Sequence, residues 1–479
     1  MKISELVKGI KNVKIIGDEN TYISSVACDS SAVIDGSLFF CINGYNVDGN
    51  KFIRQVEIYG ALAVVSEKRS NTKLVQIIVK DVRMAMSIIS ANFYGNVDKK
   101  MKIIGVTGTN GKTSTCNIIK KIFDDAKIPC GVIGTLGVFY KNKLLEPTLT
   151  TPDPIDLHRI LSDMYKSGVA VVVMEVSAHA LDLKKVYGLS FEMGVFTNLS
   201  QDHLDYFKDM ATYRESKLKL FKQCKYVVSN SDDEVGLEII KKNIGVISYG
   251  LYNPADVFGI DLSYTKSGTS FILNLFDCVY DIKTNLLGEF NVYNVLASSA
   301  VCALMGVGSD KIAKSICEIK PINGRIEKVY DKDFSVFIDY AHTPDGLEKV
   351  LKTLRKNCKN RLICVFGCGG NRDSIKRKIM GEISAKISDY TVITTDNPRF
   401  EDPVDIMCEI EKGVLEISKQ YVLIQDRVEA IKYAMNFAKP GDVVLIAGKG
   451  AENYQEVLGI KHSYNDKDTI KKLLRDISD

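Results

Sequence analysis

Apolar residues in this chain fall mostly in short runs bounded by glycine, aspartate or asparagine. Near the start, runs at residues 23–27, 37–41, 61–66 and 75–79 have strand length and are joined by turns at Gly44 and Gly49. The pattern changes at residue 101. A β-rich run at 101–106 leads through a glycine turn into a segment where Ile118, Ile119, Ile122 and Phe123 share one helical face. Further strand-length runs follow at 170–176, 193–197 and 226–229. Beyond residue 330, runs at 335–339, 361–366, 390–394, 421–424 and 443–447 alternate with helical patterns such as 344–356. Alternation of this kind predicts an α/β fold, with parallel sheets covered by helices on both faces. We expect three domains, at 1–98, 99–328 and 329–479. Ligands of such sheets gather at the carboxyl ends of strands. The chemically unusual segments lie there: 108–113, 175–179, 339–342, 367–372, 396–399 and 448–452.

Composition narrows the class. A length of 479 residues exceeds one ordinary core, and 46% hydrophobic with 25% charged residues is ordinary for a soluble globular protein. Net charge is only +4 and no long basic block occurs, so no nucleic-acid partner is expected. The N-terminus lacks the apolar core of a signal peptide, and no apolar run approaches the ~20 residues of a membrane span. A cytoplasmic protein without a membrane partner is the expectation. Twelve cysteines without a C-x-x-C pair read as reduced thiols rather than zinc ligands or disulfides.

The sharpest local signal is Gly108-Thr109-Asn110-Gly111-Lys112-Thr113-Ser114, placed between the run at 101–106 and a helix. Glycines let backbone N–H groups approach phosphate oxygens, and the helix N-terminus adds its dipole. Lys112 supplies a point charge, and the Thr113 hydroxyl can ligate Mg²⁺. The strict G-x-x-x-x-G-K-[ST] form is not met, because Val106 stands at the first glycine position. The chain has five histidines, and three sit at strand ends among polar groups: Glu175-Val-Ser177-Ala-His179, Asp202-His203-Leu-Asp205 and Asp339-Tyr-Ala-His342. That recurrence marks a candidate catalytic cluster.

With these motifs in this order, the chain resembles the Mur ligases, and within them the MurE type. The likeness covers the whole length and includes the short glycine turn, E-V-S-x-H-A-L at 175–181, T-N-L-x-x-D-H-L-D at 197–205, G-E-F-N-x-x-N at 288–294, Gly324-Arg325 and D-Y-A-H-T-P-D at 339–345. It implies an N-terminal uridine-nucleotide-binding domain, a central P-loop ATPase-like domain with a parallel sheet, and a C-terminal Rossmann-like domain. It also implies ATP and Mg²⁺ as cofactors. By resemblance Thr113 and Glu175 hold one Mg²⁺ and His203 helps hold a second. Lys217, which on chemistry alone would be a solvated helix lysine, falls where the family carries a carbamylated lysine (N6-carboxylysine) bridging to that second metal. Lys112, Glu175, His203, Lys217 and Arg325 would be catalytic. Residues 108–114 with Asn291, Asn294, Arg325, Asp339 and His342 would contact ATP.

The implied reaction activates a carboxylate as an acyl phosphate, which an amine then attacks. Charge neutralisation by metal and cations is most of what a protein contributes to such phosphoryl transfer. Asp396-Asn397-Pro398-Arg399 resembles the MurE pattern for adding meso-diaminopimelate, and lysine-adding relatives lack the arginine. A planar guanidinium suits the extra carboxylate of diaminopimelate. Taken alone, Asn-Pro is simply a turn signal. By resemblance Arg372, Gly448 and Glu452 join Asp396, Asn397, Pro398 and Arg399 at the amino acid. Ser30, Thr150, Thr151, Ser177 and Lys185 would meet the other substrate, UDP-N-acetylmuramoyl-L-alanyl-D-glutamate. The first domain also carries Gly44-Tyr45-Asn46-Val47-Asp48-Gly49 in the family manner. Partners are therefore small molecules, and a monomer is expected.

Several positions depart from the family pattern: Ser31 for arginine, Asn50 for histidine, Leu183 and Lys185 for glutamine and arginine, and Ala451 for histidine. All lie on the substrate-reading side. Two alternatives stay open: a paralogue joining a different acid or amine, such as L-lysine, and a non-catalytic nucleotide-binding paralogue.

Overall fold

The computed structural model describes residues 1–44, 47–146, 149–243 and 245–476. Tyr45 and Asn46 of the family-like glycine segment lie outside them. The chain forms two compact units. The first takes in residues 1–107, 127–195 and 216–227, and the second takes in 108–126, 196–215 and 228–479.

The first unit begins with a five-stranded sheet ordered Lys14–Ile16, Val75–Ile78, Ala61–Ser66, Ser37–Phe40 and Ser25–Ala27, antiparallel at the first pair and parallel thereafter. Successive residues of a strand point to opposite faces, and this sheet uses both. Leu38, Phe40, Ala63, Val65 and Ile77 pack into one core, while Phe39, Cys41, Ala61 and Val64 pack into another. A second sheet region runs in the order Phe191–Phe196, Lys102–Thr107, Val171–Glu175, Cys130–Gly134, Gly137–Tyr140 and Lys143–Leu145. Val171–Glu175 is parallel to both neighbours, and the last two strands extend it as antiparallel hairpins.

In the second unit, Val246–Gly250 pairs in parallel with Val257–Tyr264, which continues into the antiparallel strands Thr269–Leu275 and Cys278–Thr284. The helix Glu289–Leu304 packs on the helix Lys112–Asp125. The C-terminal sheet has the order Glu327–Asp331, Ser335–Asp339, Val443–Ala447, Leu362–Phe366, Tyr390–Ile393 and Tyr421–Leu423, parallel except at its first pair. Here too the strands are apolar on both faces, as a sheet covered on both sides requires. Phe337, Cys364, Phe366 and Leu445 face one core; Ile338, Ile363, Val365 and Ile446 face the other. The chain order reverses around Val443–Ala447, and the loops beyond the carboxyl ends of these strands hold Asp339, Gly367, Asp396 to Arg399 and Gly448. That is where a crevice forms in an open parallel sheet.

The sequence-predicted runs and the observed strands agree to within a few residues throughout the C-terminal block. Among the described residues no helix is long and apolar enough to cross a membrane.

Candidate active site

In the second unit the glycine turn is shaped by its neighbours. Gly108 has φ +148°, and a Cβ there would lie 1.8 Å from the Thr197 hydroxyl, so no larger residue fits. Thr109 N–H donates to the Asn198 carbonyl at 2.8 Å, and Asn110 N–H to the Asn198 side chain at 3.0 Å. The helix that follows starts at Lys112 and has no side-chain cap at Gly111, whose φ is +87°. The Lys112 ammonium folds back onto the carbonyls of Gly108, at 2.9 Å, and Thr109, at 2.8 Å.

Behind the turn runs an amide chain. Thr115 donates to Asn294 at 3.3 Å, Asn294 to Asn291 at 3.0 Å, and Asn291 to the Leu287 carbonyl at 2.8 Å. Arg325 donates to the Thr113 hydroxyl at 3.0 Å, with its guanidinium over the Tyr340 ring. Asp339 is buried and accepts from the backbone N–H of Ile326 and Ala341, both at 2.7 Å. Burial raises its carboxyl pKa, and neighbouring Arg325 opposes that rise. Asp339 thus holds the backbone of Ile326 and Ala341 in place.

A second cluster centres on Asp202. His203 Nε2 lies 3.2 Å from its carboxylate, and His342 Nε2 and Lys376 Nζ each lie 4.0 Å away. Burial alone would raise this carboxyl, but His203, Lys376 and His342 bring it down to about 2. The His342 ring is held by the Tyr340 carbonyl at 2.8 Å, and burial with Lys376 nearby pushes its pKa down. Asp202 and the buried Lys376 were missed as site residues in the sequence. Asp202 stood in a quoted motif, whereas nothing local distinguishes Lys376 from the other lysines of its helix.

The residues that the sequence leads one to expect at the amine meet in the same unit. Asp396 is buried, and Lys449 and Arg427 hold its carboxyl below the usual range against the effect of burial. Asn397 accepts from Lys449 at 2.9 Å and donates to Glu452 at 3.1 Å. Lys449, fully buried, also donates to Glu452 at 3.0 Å. Arg399 has φ +53°, donates from Nη1 to the Gly370 carbonyl at 2.7 Å, and pairs through Nε with Glu456 at 3.1 Å. Gly448 has φ +110°, and a Cβ there would fall 2.6 Å from the Asp396 carboxylate. Arg372 lies on the exposed lip; partial desolvation and nearby Arg399 depress its pKa. Lys449 and Glu456 are further residues that the motif reading did not assign.

In the first unit, Glu175 ends the strand Val171–Glu175 and is 1% exposed. Its carboxylate accepts from the Thr135 N–H at 2.8 Å and the Thr135 hydroxyl at 3.2 Å. Thr151 donates to the Glu175 carbonyl at 2.9 Å and accepts from Ser177 N–H at 3.1 Å, while Thr150 and Thr135 hydroxyls lie 3.1 Å apart. Glu175, Thr150, Thr151 and Ser177 therefore form one polar wall. Lys217 is 1% exposed, so it is no solvated helix lysine. The adjacent Ser216 donates to the Ala178 carbonyl at 2.8 Å.

The departures from the family pattern also have local partners. Ser31 donates to Asp29 at 2.8 Å, and Asn50 to Asp48 at 2.7 Å. Both bind the preceding acid instead of presenting a cation. Ser30, between Asp29 and Ser31 in sequence, sits half-buried in the turn Ser30–Ala32 capped by Asp29. Lys185 pairs with Asp153 at 2.9 Å.

Among the described residues no group of three or more His, Cys, Asp and Glu side chains is gathered to hold a metal. Taken one by one, the Glu175 carboxylate of the first unit and the Thr113 hydroxyl of the second are hard oxygen donors of the kind that Mg²⁺ takes.

Comparison with known proteins adds the family. The model of the Mur ligase middle domain matches residues 106–302, that of the Mur ligase glutamate ligase domain matches 324–450, and that of the Mur ligase family catalytic domain matches 22–100. The UDP-N-acetylmuramoyl-L-alanyl-D-glutamate–2,6-diaminopimelate ligase 1 of Clostridium acetobutylicum is 42% identical over 487 residues, covering 100% of both chains. A solved UDP-N-acetylmuramoyl-L-alanyl-D-glutamate–2,6-diaminopimelate ligase superposes with a TM-score of 0.70 at 31% identity, covering 100% of this chain and 99% of that one. The MurF ligase of Thermotoga maritima in complex with ADP shares the fold, with a TM-score of 0.65 at 20% identity over 96% of this chain and 99% of that one.

Proposed function

The chain belongs to the Mur ligase family, and on that premise we propose that it adds meso-2,6-diaminopimelate to the D-glutamate of UDP-N-acetylmuramoyl-L-alanyl-D-glutamate. It is an ATP-dependent ligase that forms an amide bond and releases ADP and phosphate, in peptidoglycan synthesis. The observation that carries the choice of amine is Arg399. It is held at the carboxyl ends of the C-terminal sheet beside Arg372, within a loop braced by Asn397, Lys449 and Glu452. A fixed guanidinium favours an amine whose far end carries a carboxylate.

The side chains divide the work. The substrate carboxylate attacks the γ-phosphate of ATP, and Lys112 and Arg325 would offset charge on the transferred phosphoryl group. Lys112 must first leave the Gly108 and Thr109 carbonyls it now occupies. Asn291, Asn294, Asp339 and His342 would shape the nucleotide's seat. The amine then attacks the acyl phosphate, and phosphate departs from the tetrahedral intermediate. Thr113, Glu175, His203 and carbamylated Lys217 are the residues we assign to Mg²⁺, which would supply charge neutralisation for the phosphates. Thr150, Thr151, Ser177, Ser30 and Lys185 are assigned to the UDP-linked substrate, and a cytoplasmic monomer is the accompanying proposal.

The test is phosphate release with ATP, Mg²⁺ and the UDP-linked dipeptide, comparing meso-diaminopimelate, L-lysine and no amine. Release with diaminopimelate alone, and a KM for it raised at least about tenfold in Arg399→Ala with ATP binding unchanged, is expected. Release with lysine instead would overturn the choice of amine while keeping the ligase.

A further inference from the structure

The geometry points to Asp345 as a positioning residue of the nucleotide site, which holds the tip of the glycine turn through the side chain of Asn110. This rests on the reading of that turn as the seat of the ATP phosphates. Asn110 and Ser200 lie in the stretch that the middle-domain model matches, and Asp345 in the stretch that the glutamate ligase domain model matches. All three belong to the second compact unit.

The backbone at the tip of the turn is already engaged. Asn110 N–H donates to Asn198 Oδ1 at 3.0 Å, and the Asn110 carbonyl accepts from Thr197 Oγ1 at 2.6 Å and Asn198 Nδ2 at 3.1 Å. These bonds tie the tip to the loop that follows the strand Phe191–Phe196. The Asn110 side chain reaches elsewhere. Its Nδ2 donates to Asp345 Oδ2 at 2.8 Å, across 235 residues of sequence. Ser200 Oγ donates to the same oxygen at 3.3 Å. Asp345 stands in the first turn of the helix Pro344–Asn357, directly after the segment that ends in His342 and Thr343. The contact therefore sets the spacing between the glycine turn and the Asp339–His342 segment.

An acid in the first turn of a helix commonly answers the helix dipole. Here Thr343 supplies the cap, its hydroxyl accepting from Gly346 N–H at 3.1 Å, and Asp345 Oδ2 turns to Asn110 and Ser200. Charge does not account for the acid either, because a carboxylate beside a triphosphate seat repels the ligand. Lys349 offsets that charge, lying 2.8 Å from Oδ1 and 2.9 Å from Oδ2. What Asp345 contributes is an acceptor on a rigid helix that fixes an amide at the tip of the turn. A turn held in place before the nucleotide arrives has less freedom to lose on binding.

The test is calorimetric binding of the β,γ-imido analogue of ATP, with Mg²⁺, to the full-length protein; it needs neither the acid nor the amine substrate. Wild type, Asp345→Ala, Asp345→Asn, Asn110→Ala and the double variant carrying Asn110→Ala with Asp345→Ala are compared. We expect Asp345→Ala to raise Kd about tenfold, because a charge-assisted hydrogen bond is lost. Asp345→Asn, which drops the charge and keeps an oxygen acceptor, should recover most of that loss. In the Asn110→Ala background, Asp345→Ala should change Kd by no more than about twofold. An equal loss in both backgrounds would overturn the inference, since Asp345 would then act through its helix or the fold. Unchanged or tighter binding in Asp345→Ala would overturn it too, because the acceptor would then be dispensable or the charge decisive. Wild-type protein that binds no analogue would refute the nucleotide seat, and this inference with it. The choice of amine does not enter this measurement, so its failure is read separately, in the phosphate-release assay.

Discussion

His158 lies in the core of the first unit, 2% exposed, and neither ring nitrogen has a hydrogen-bond partner. Burial pushes its pKa from 6.5 down to about 4. The folded state therefore binds fewer protons than the unfolded chain between these values. Stability is fully present above about pH 6.5 and falls as pH drops towards 4, by roughly 3 kcal/mol in all. Replacing His158 by Leu removes this proton linkage, so the loss of melting temperature between pH 7 and pH 5 should be smaller in His158→Leu than in wild type. Equal losses would show that the ring finds a partner or titrates normally. Lys217 teaches a similar lesson at this scale. Its local sequence reads as a solvated helix lysine, and only packing around it makes it buried. Glu456 and Lys376 were illegible for the same reason, since what singles them out is a neighbour far away in sequence: Arg399 for one and Asp202 for the other.

At the scale of elements, the glycine turn is the clearest case of sequence and structure agreeing. Gly108-Thr-Asn-Gly-Lys-Thr113 predicts a tight turn into a helix, and the helix starts at Lys112. In Gly108→Ala the new methyl would meet Thr197 in a backbone conformation that costs an L-residue on the order of 1–3 kcal/mol. The turn must shift, so we expect amine-dependent phosphate release to fall at least about a hundredfold while the protein stays folded by circular dichroism. Near-normal turnover would mean that the backbone approach at Gly108 is not needed. The parallel strands were legible because they are apolar on both faces. The antiparallel strands Val257–Tyr264, Thr269–Leu275 and Cys278–Thr284 were not read out, because their alternation is blurred by exposed apolar residues such as Ile260 and Val279. The hairpin Tyr454–Val457 with Ile460–Ser463 was missed as well, having no buried face to leave a pattern.

Across the whole molecule, buried charge ties distant segments to the site. Arg427 is fully buried, donates to Asp466 from Nε and Nη2 at 2.9 Å each, and reaches the Ala447 carbonyl at 2.9 Å. It thereby links the C-terminal helix Asp466–Asp476 to the strand end that precedes Gly448. Breaking such a pair from one side leaves an uncompensated charge, at a cost of about 3–5 kcal/mol. Arg427→Met should lower the urea midpoint accordingly, and Arg427→Met with Asp466→Leu should recover part of the loss. A single variant as stable as wild type would show that Asp466 is satisfied without the arginine. The amino-acid sequence by itself determined the α/β class, the parallel strands and the glycine turn into a helix, because apolar periodicity and glycine conformations are local properties. It also carried the family motifs in their order. Tertiary structure alone decided which acids, amides and cations face one another: Asp202 with Lys376, Asn397 with Lys449, and Arg399 with Glu456. Those pairings depend on loops brought together from different strand ends, and no local pattern encodes a distance across a sheet.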